Sequence, residues 1–132
     1  MTYLLDTNIL SALMKDPGGK VAVRLGSLEP ESVCTSIIVV AEVKYGIMKS
    51  GSQRLAKQFA QIEPTLIVEP FSQPAEIEYA RIRVETEGIG LTVSQNDLLI
   101  AAQSCASDAI LVTDDRIFSG IPGLKVENWL RA

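Results

Sequence analysis

The sequence contains no histidine among its 132 residues. Without histidine the chain cannot form a Ser-His-Asp or Cys-His catalytic group, nor a zinc site with imidazole ligands. Any hydrolytic chemistry must therefore depend on carboxylates, hydroxyls, lysines or a metal ion held by oxygen atoms.

Cysteine and long apolar runs are also scarce. The two cysteines, Cys34 and Cys105, lie far apart in apolar stretches and outside any CxxC pair, so we expect two buried free thiols rather than a disulfide or a ligand pair. No apolar run approaches the roughly 18 residues of a membrane span. The N-terminus lacks the basic-then-apolar layout of a signal peptide. We therefore expect a cytoplasmic protein without a membrane segment.

The composition is that of a globular protein. Hydrophobic residues make up 47% of the chain and mean hydropathy is +0.22, and the length fits one domain over residues 1–132. The net charge of −4 argues against a nucleic-acid partner unless cations cluster locally. Six cations of the first half could form such a patch or be an ordinary solvated surface: Lys15, Lys20, Arg24, Lys49, Arg54 and Lys57.

Strand and helix patterns alternate along the chain. The predicted strands are residues 2–5, 33–36, 65–71, 109–113 and 124–129. The predicted helices are residues 7–15 with a cap at Thr7 or Asn8, 20–28, 37–49 capped by Ser36, 52–62, 74–87 with a stripe of Ile77, Ala80 and Val84, and 97–106. Alternation of this kind favours an α/β sandwich around a mostly parallel sheet.

Several acids occupy positions where an acid is not expected. Asp6 follows the first strand, and Asp114 and Asp115 follow the fourth. The carboxyl ends of parallel strands form the edge where α/β proteins bind ligands. Glu42 lies inside a mainly apolar helix, where an unpaired buried charge would be unfavourable, and Asp97 opens another apolar helix.

Each of these acids also has a structural explanation. Asp6 could cap a helix, Glu42 could be partly exposed or ion-paired, Asp97 could favour a helix dipole, and the Asp114–Asp115 pair could form a turn. Together they suggest a cation site, because clustered carboxylates repel one another unless a cation compensates. Hard cations such as Mg²⁺ prefer oxygen ligands, and such sites hydrolyse phosphodiesters.

Four motifs in order resemble the PIN-domain family, and within it the VapC-type toxins of bacterial toxin–antitoxin pairs. The motifs are "YLLDTNILSALM", "SIIVVAEVKYGI", "GLTVSQNDLLIAA" and "ILVTDDRIFSGIPGLKVENW". The likeness covers essentially the whole chain and implies a PIN-like three-layer α/β/α sandwich. It also implies a Mg²⁺- or Mn²⁺-dependent endoribonuclease that hydrolyses RNA, with tRNA as one candidate substrate, by metal-activated water.

The resemblance places catalytic, metal-binding acids at Asp6, Glu42, Asp97 and Asp115. Asp114 is the alternative to Asp115, because many relatives carry another acid just before the Phe, where this chain has Ile117. Three further residues could support the site or have ordinary structural roles. Asn8 could orient Asp6 or cap a helix, Thr113 could orient an acid or belong to a strand, and Arg116 could pair with phosphate or with a neighbouring acid.

The resemblance also implies partners. They are an RNA substrate, a cognate antitoxin whose C-terminal segment wraps the toxin, and a second copy in a homodimer. An apolar set could hold the antitoxin or pack in the core: Ile9, Leu10, Leu13, Met14, Ile47 and Met48. The alternatives are a housekeeping RNA-processing nuclease and a non-catalytic PIN-like scaffold.

Overall fold

The centre of the molecule is a five-stranded parallel sheet. The structure is a computed structural model and describes residues 1–131. The strands are β1 (Thr2–Leu5), β2 (Val33–Ser36), β3 (Val68–Glu69), β4 (Ala109–Val112) and β5 (Lys125–Glu127). The helices are α1 (Thr7–Lys15), α2 (Lys20–Gly26), α3 (Ile37–Ser50), α4 (Gln53–Ile62), α5 (Ala75–Gly88) and α6 (Gln95–Ala106). Short 3-10 turns cover Pro30–Ser32, Glu63–Thr65 and Arg116–Gly120.

The strand order is β3-β2-β1-β4-β5, so the first strand of the chain lies in the middle of the sheet. Leu4 of β1 pairs with Cys34 on one side and with Leu111 on the other. All four residues of β4 are buried, as expected for a central strand covered by helices on both faces. The predicted α/β/α sandwich is confirmed, and each of its four strand pairings is parallel.

Serine side chains fix the starts of three helices. Ser36 Oγ accepts a hydrogen bond from the Ile38 amide at 3.0 Å, as predicted for α3. Ser52 caps α4 and Ser94 caps α6 in the same way, and such caps typically contribute about 1 kcal/mol each. The predicted cap of α1 was wrong. Asp6, rather than Thr7 or Asn8, precedes its first turn, and the Asp6 side chain makes no capping hydrogen bond.

Several predicted boundaries change in the structure. Helix α2 ends at Gly26 rather than at residue 28, and β4 ends at Val112 rather than at residue 113. The strand expected at 65–71 shrinks to Val68–Glu69, and the 3-10 turn Glu63–Thr65 occupies its first predicted residue. The last strand is Lys125–Glu127 rather than 124–129. Helix α6 begins at Gln95, two residues earlier than predicted, because Ser94 supplies its cap.

The apolar stripe predicted on α5 faces solvent. Ile77 and Val84 are 63% and 70% exposed, and Ala80 between them is exposed as well. The helix instead buries Ala75, Ile82 and Thr86, in its close packing with α6. The helix carries two stripes at the correct spacing, and the spacing alone could not indicate which one faces the core.

The apolar set that could hold an antitoxin or pack in the core belongs mostly to the core. Ile9 and Leu10 are fully buried, and Met14 is 3% exposed. Leu13 and Ile47 are partly buried against the same core, whereas Met48 is 83% exposed. The correction follows from topology, since α1 leaves the central strand directly and packs against α3.

Both cysteines are free thiols, as predicted. Cys34 is buried in β2, and burial raises the pKa of its thiol to about 11. Cys105 is only half-buried, contrary to the expectation that both would be buried. Within residues 1–131, no helix has the length and apolar character to cross a membrane.

Candidate active site

Four carboxylates from four parts of the chain line one pocket at the carboxyl edge of the sheet. The pocket has a volume of about 650 Å³ and is lined by Asp6, Glu42, Asp97 and Asp115. Asp6 follows β1, and Asp115 lies three residues beyond β4. Glu42 lies in the second turn of α3, and Asp97 in the first turn of α6. The structure therefore brings together the four acids expected from the sequence.

Asp6 is the most deeply placed of the four. Its side chain is 4% exposed, and its Oδ2 accepts a 2.8 Å hydrogen bond from the Thr113 hydroxyl, which is also buried. The Asp6 amide donates to the carbonyl of Val112 at 3.0 Å. Backbone and side-chain bonds thus tie the ends of β1 and β4 together and fix the Asp6 carboxylate in position.

Asn8 connects the same strands through its amide side chain. Its Nδ2 donates to Thr113 Oγ1 at 3.2 Å, and its Oδ1 accepts from the Asp114 amide at 2.9 Å. A longer contact of 3.5 Å reaches Asp6 Oδ2. Asn8 is therefore not a helix cap. It holds the loop after β4 against the start of α1.

The other three pocket acids are held more loosely. Glu42 is half-buried and accepts a hydrogen bond from the Thr7 hydroxyl at 3.0 Å. Asp97 is half-buried, and its backbone amide donates to the capping Ser94 Oγ at 3.3 Å. Asp115 is exposed, and its Oδ1 accepts from the Ile117 amide at 3.1 Å, which starts the turn Arg116–Gly120.

The Asp114 side chain makes its polar contacts with residues outside the pocket. Its Oδ1 accepts from Asn128 Nδ2 at 2.7 Å and from Arg131 Nε at 3.2 Å. Asn128 Oδ1 in turn accepts from the Leu130 amide at 2.9 Å. Asp114 is not among the side chains that line the pocket. It links the loop that carries Asp115 to the C-terminal tail.

Burial and mutual repulsion raise two carboxyl pKa values in the pocket. Burial raises the pKa of Asp6 to about 6, with the Thr113 hydrogen bond opposing and the charges of Asp97 and Glu42 adding to the rise. Burial likewise raises the pKa of Asp97, helped by the charges of Asp115 and Glu42 and opposed by Ser94. The neighbouring negative charges therefore disfavour the charged forms of Asp6 and Asp97.

The pocket is not a preassembled metal cage. Within residues 1–131, no three carboxylate or thiol side chains converge closely enough to enclose an ion. The donor set nevertheless fits a hard divalent cation, because it consists of carboxylate oxygens whose repulsion a cation would relieve. Glu42, Asp97 and Asp115 each keep part of the side chain exposed, so these three have room to turn toward an ion.

The cations near the pocket differ from expectation. Arg116 is exposed and forms no ion pair within the described chain, but it does not line the pocket. Lys15, at the end of α1, does line it and is the one cation among the lining side chains of residues 1–131. The sequence alone does not separate Lys15 from the other cations of the first half, because its position relative to the acids depends on the helix packing.

Two residues near the site were not predicted from the sequence. Ser94 is three residues before Asp97, in the S-x-x-D spacing of a helix start, so this signal was available. Asn128 follows β5 at the same edge of the sheet as the acids. Its position after a strand was a weaker signal, and its role becomes clear only from the hydrogen bond that it donates to Asp114.

Comparison with known proteins yields one consistent family. The family model for the PIN domain matches residues 3–124. The chain is 36% identical to "Ribonuclease VapC2" of Rickettsia felis, with 98% of each chain covered, and 29% identical to "tRNA(fMet)-specific endonuclease VapC" of Salmonella typhimurium, with the same coverage. Among solved structures, VapBC2 of Rickettsia felis bound to promoter DNA matches with a TM-score of 0.85 and 32% identity, covering 98% of this chain and 99% of the other. With the motif order, the parallel sheet and the pocket of acids all in agreement, this chain belongs to the PIN domain family.

Proposed function

We propose that this protein is the ribonuclease toxin of a toxin–antitoxin pair and cleaves RNA at the pocket of four acids. The observation that carries the proposal is the convergence of Asp6, Glu42, Asp97 and Asp115 on one pocket. The similarity to VapC ribonucleases over nearly the full chain supports it. Residues 1–132 act as one PIN domain in this proposal, since all five strands join a single sheet.

The pocket acids serve as ligands of Mg²⁺ or Mn²⁺. When bound, such a cation stabilises the charge that develops on the phosphate and makes water a better nucleophile at neutral pH. Thr113 and Asn8 hold Asp6 in one orientation, and Thr7 holds Glu42. Asp6, whose pKa is about 6, is mostly ionised at pH 7 and above and can act as a ligand there.

Asp115, rather than Asp114, is the fourth acid of the site. Asp115 lines the pocket, and its charge raises the pKa of Asp97. The carboxylate of Asp114 is engaged by Asn128 and Arg131 instead. Ile117, which replaces an acid found in many relatives, leaves the pocket with these four carboxylates.

The partners are an RNA substrate, an antitoxin and a second copy of the chain. Matched structures include toxin–antitoxin complexes from Rickettsia felis and Salmonella typhimurium, which supports the antitoxin. The similarity to a tRNA(fMet)-specific endonuclease supports tRNA as the first substrate class to test. Free Cys34 and Cys105 suit the reducing cytoplasm, where these partners would meet.

The test is cleavage of total cellular RNA by purified, antitoxin-free protein with Mg²⁺, with Mn²⁺ and with EDTA. We expect discrete fragments that require the metal and are lost in Asp97→Asn and Asp115→Asn. Asp108→Asn is the matched control, because Asp108 is exposed at the opposite edge of the sheet. Asp114→Asn should lower cleavage by about 10–100-fold without abolishing it, the loss typical of a residue that supports ligands.

Two outcomes would overturn the proposal. A folded wild-type protein that cleaves no RNA with either metal would indicate a scaffold. Cleavage that persists in both Asp97→Asn and Asp115→Asn would show that the pocket is not the active site. The fragment ends from wild type would identify the RNA and separate a tRNA-cleaving toxin from a broader processing nuclease.

A further inference from the structure

The net charge of this acidic protein is positive over the first part of the chain and negative over the rest. Residues 1–62 contain seven Lys or Arg and five Asp or Glu, a net charge of +2. Residues 63–132 contain five Lys or Arg and eleven Asp or Glu, a net charge of −6. Two of the five acids in the first part are the pocket residues Asp6 and Glu42, so its outer surface is more positive than its net charge indicates.

Ion pairing increases the difference in free positive charge between the two parts of the chain. Four of the five cations in residues 63–132 form ion pairs: Arg81, Arg83, Lys125 and Arg131. In residues 1–62 only Arg24 and Lys44 do so. Among the described residues, the unpaired cations of this first part are Lys15, Lys20, Lys49, Arg54 and Lys57.

A groove leads from the acid pocket toward these cations. A smaller cavity of about 150 Å³ lies between α1, α3 and α4 and shares four lining residues with the acid pocket: Thr7, Ser11, Lys15 and Glu42. Its far end is lined by Leu55 of α4. Arg54 and Lys57 are exposed on that helix and lie one turn apart, outside the lining of this cavity. Lys15 therefore stands where the pocket and the groove meet.

The second large groove of the molecule is less suited to a polyanion. It has a volume of about 650 Å³ and lies between α2 and the C-terminal tail. Three cations line it, and two of them are already neutralised, because Arg24 pairs with Glu127 and Arg131 pairs with Asp114. Lys20 is its one cation without an ion pair within residues 1–131. Lys15 and its neighbours on α4 have no such competitor within residues 1–131.

We propose that the groove along α1 is the RNA-binding track of the enzyme, with Lys15 binding a phosphate next to the scissile one. Arg54 and Lys57 contact the strand farther from the acids. The inference rests on the ribonuclease function proposed above and adds the path of the substrate. It explains how a chain of net charge −4 can hold RNA, since phosphate contacts depend on local rather than total charge.

The test compares RNA affinity over a range of salt concentrations. A fluorescein-labelled single-stranded RNA of mixed sequence would be titrated from 50 to 200 mM KCl, in an Asp97→Asn background that prevents cleavage. For single strands, the slope of log affinity against log salt falls by about 0.7 for each phosphate contact removed. Lys15→Ala should lower the slope by about 0.7, and Lys15→Ala combined with Arg54→Ala and Lys57→Ala by about 2.

The matched controls remove the same charges elsewhere. Lys125→Ala is the control for Lys15→Ala, because Lys125 is an exposed, ion-paired lysine that contacts Asp108 at the opposite edge of the sheet. Arg54→Ala with Lys57→Ala, without the change at Lys15, should lower the slope by about 1.4, and its control is Lys44→Ala with Lys125→Ala, which removes two ion-paired lysines. In an otherwise wild-type protein, Lys15→Ala should raise KM and leave kcat nearly unchanged, whereas the control lysines should change neither.

Three other outcomes would contradict the proposed RNA-binding track. Equal salt slopes for Lys15→Ala and Lys125→Ala would overturn the proposed track. The groove floor includes the apolar residues Met14, Val43 and Ile47, which would also suit a peptide. A loss of antitoxin affinity without a loss of RNA affinity would therefore assign the groove to the antitoxin. Failure of the wild-type protein to cleave any RNA is a separate result, and it would remove the ribonuclease function together with the track.

Discussion

Asp6 illustrates the conflict between stability and function in a single residue. The folded protein binds the Asp6 proton more tightly than the unfolded chain does, because burial raises the pKa from 3.8 to about 6. This difference corresponds to about 3 kcal/mol between the two protonation states. Since the folded state holds more protons between these values, the free energy of unfolding falls as pH rises from about 4 to about 6 and stays lower above that range.

Asp6→Asn should therefore stabilise the metal-free protein at high pH while abolishing cleavage. An amide can accept the Thr113 hydrogen bond without carrying a charge, so we expect a gain of up to about 3 kcal/mol at pH 8. At pH 4 the gain should be nearly absent, because wild-type Asp6 is then largely protonated. Urea unfolding of both proteins in EDTA at pH 4 and pH 8 measures this gain in the free energy of unfolding. If the substitution changes the free energy of unfolding equally at both pH values, burial of the charged Asp6 carboxylate does not destabilise the wild-type protein.

Individual residues also show what sequence alone could predict of the site. Asp6 and Asp97 were found because a strand end and a helix start can be located approximately from the hydrophobic pattern. Asp114 and Asp115 could not be separated, because both follow β4 and differ only in the direction of their side chains. That direction is set by Asn128 and Arg131, which are distant in sequence and lie beside the loop only in the folded protein.

Among the elements, α6 does more than present Asp97. Its Gln103 is 3% exposed and bridges the ends of β2 and β3. The Gln103 Oε1 accepts from the Ser36 hydroxyl, and Nε2 donates to the carbonyls of Glu69 and Pro70 at 3.0 and 3.1 Å. One amide thus satisfies three polar groups where the edge strand meets the sheet, next to the start of α3.

Gln103→Leu should destabilise the protein by about 1–3 kcal/mol. A leucine fills a similar volume but leaves the buried Ser36 hydroxyl without this partner, and one buried unsatisfied group costs about 1–3 kcal/mol. Glu69 and Pro70 are exposed, so water can replace the amide at their carbonyls. Chemical denaturation would measure the change. Gln61→Leu on the exposed side of α4 should stay within about 0.5 kcal/mol of wild type. Equal effects of the two substitutions would show that the Gln103 bridge contributes nothing.

Element boundaries were predicted well where a local signal marks them and poorly where packing decides. Ser36 and Gly51 define α3 through a serine cap and a left-handed residue at φ 68°, and both can be recognised in the sequence. Strand β3 has only two residues, because its length depends on pairing with the end of β2. The inward face of α5 depends on α6, and no spacing within α5 could reveal it.

For the whole molecule, metal binding should appear as added stability. A ligand that binds only the folded state at a hundred times its Kd adds about 2.7 kcal/mol. We expect Mn²⁺ to raise the Tm of the wild-type protein and of Asp114→Asn, and EDTA to reverse the rise. A variant with both Asp97→Asn and Asp115→Asn should show little rise. The same rise in that variant would place the ion elsewhere on the surface.

The overall fold was the most predictable level, because alternation of strands and helices, a buried fourth strand and four ordered motifs all indicate one architecture. The charge distribution was less predictable. The cations of the first half were visible in the sequence, but only the packing of α1 against α3 separates Lys15 beside the acids from Arg24, which pairs with Glu127.

The pairing of β1 with β4 has a consequence for the synthesis of the protein. Thr113, the hydrogen-bond donor to Asp6, follows it 107 positions later in the chain. At about 5–20 residues per second, translation separates the two by roughly 5–20 s. The central strand of the nascent chain has no β4 beside it during that interval, and Asp115 has not yet been added. A nuclease made next to its own messenger RNA and on ribosomal RNA therefore lacks a complete site until Thr113 and Asp115 have been added.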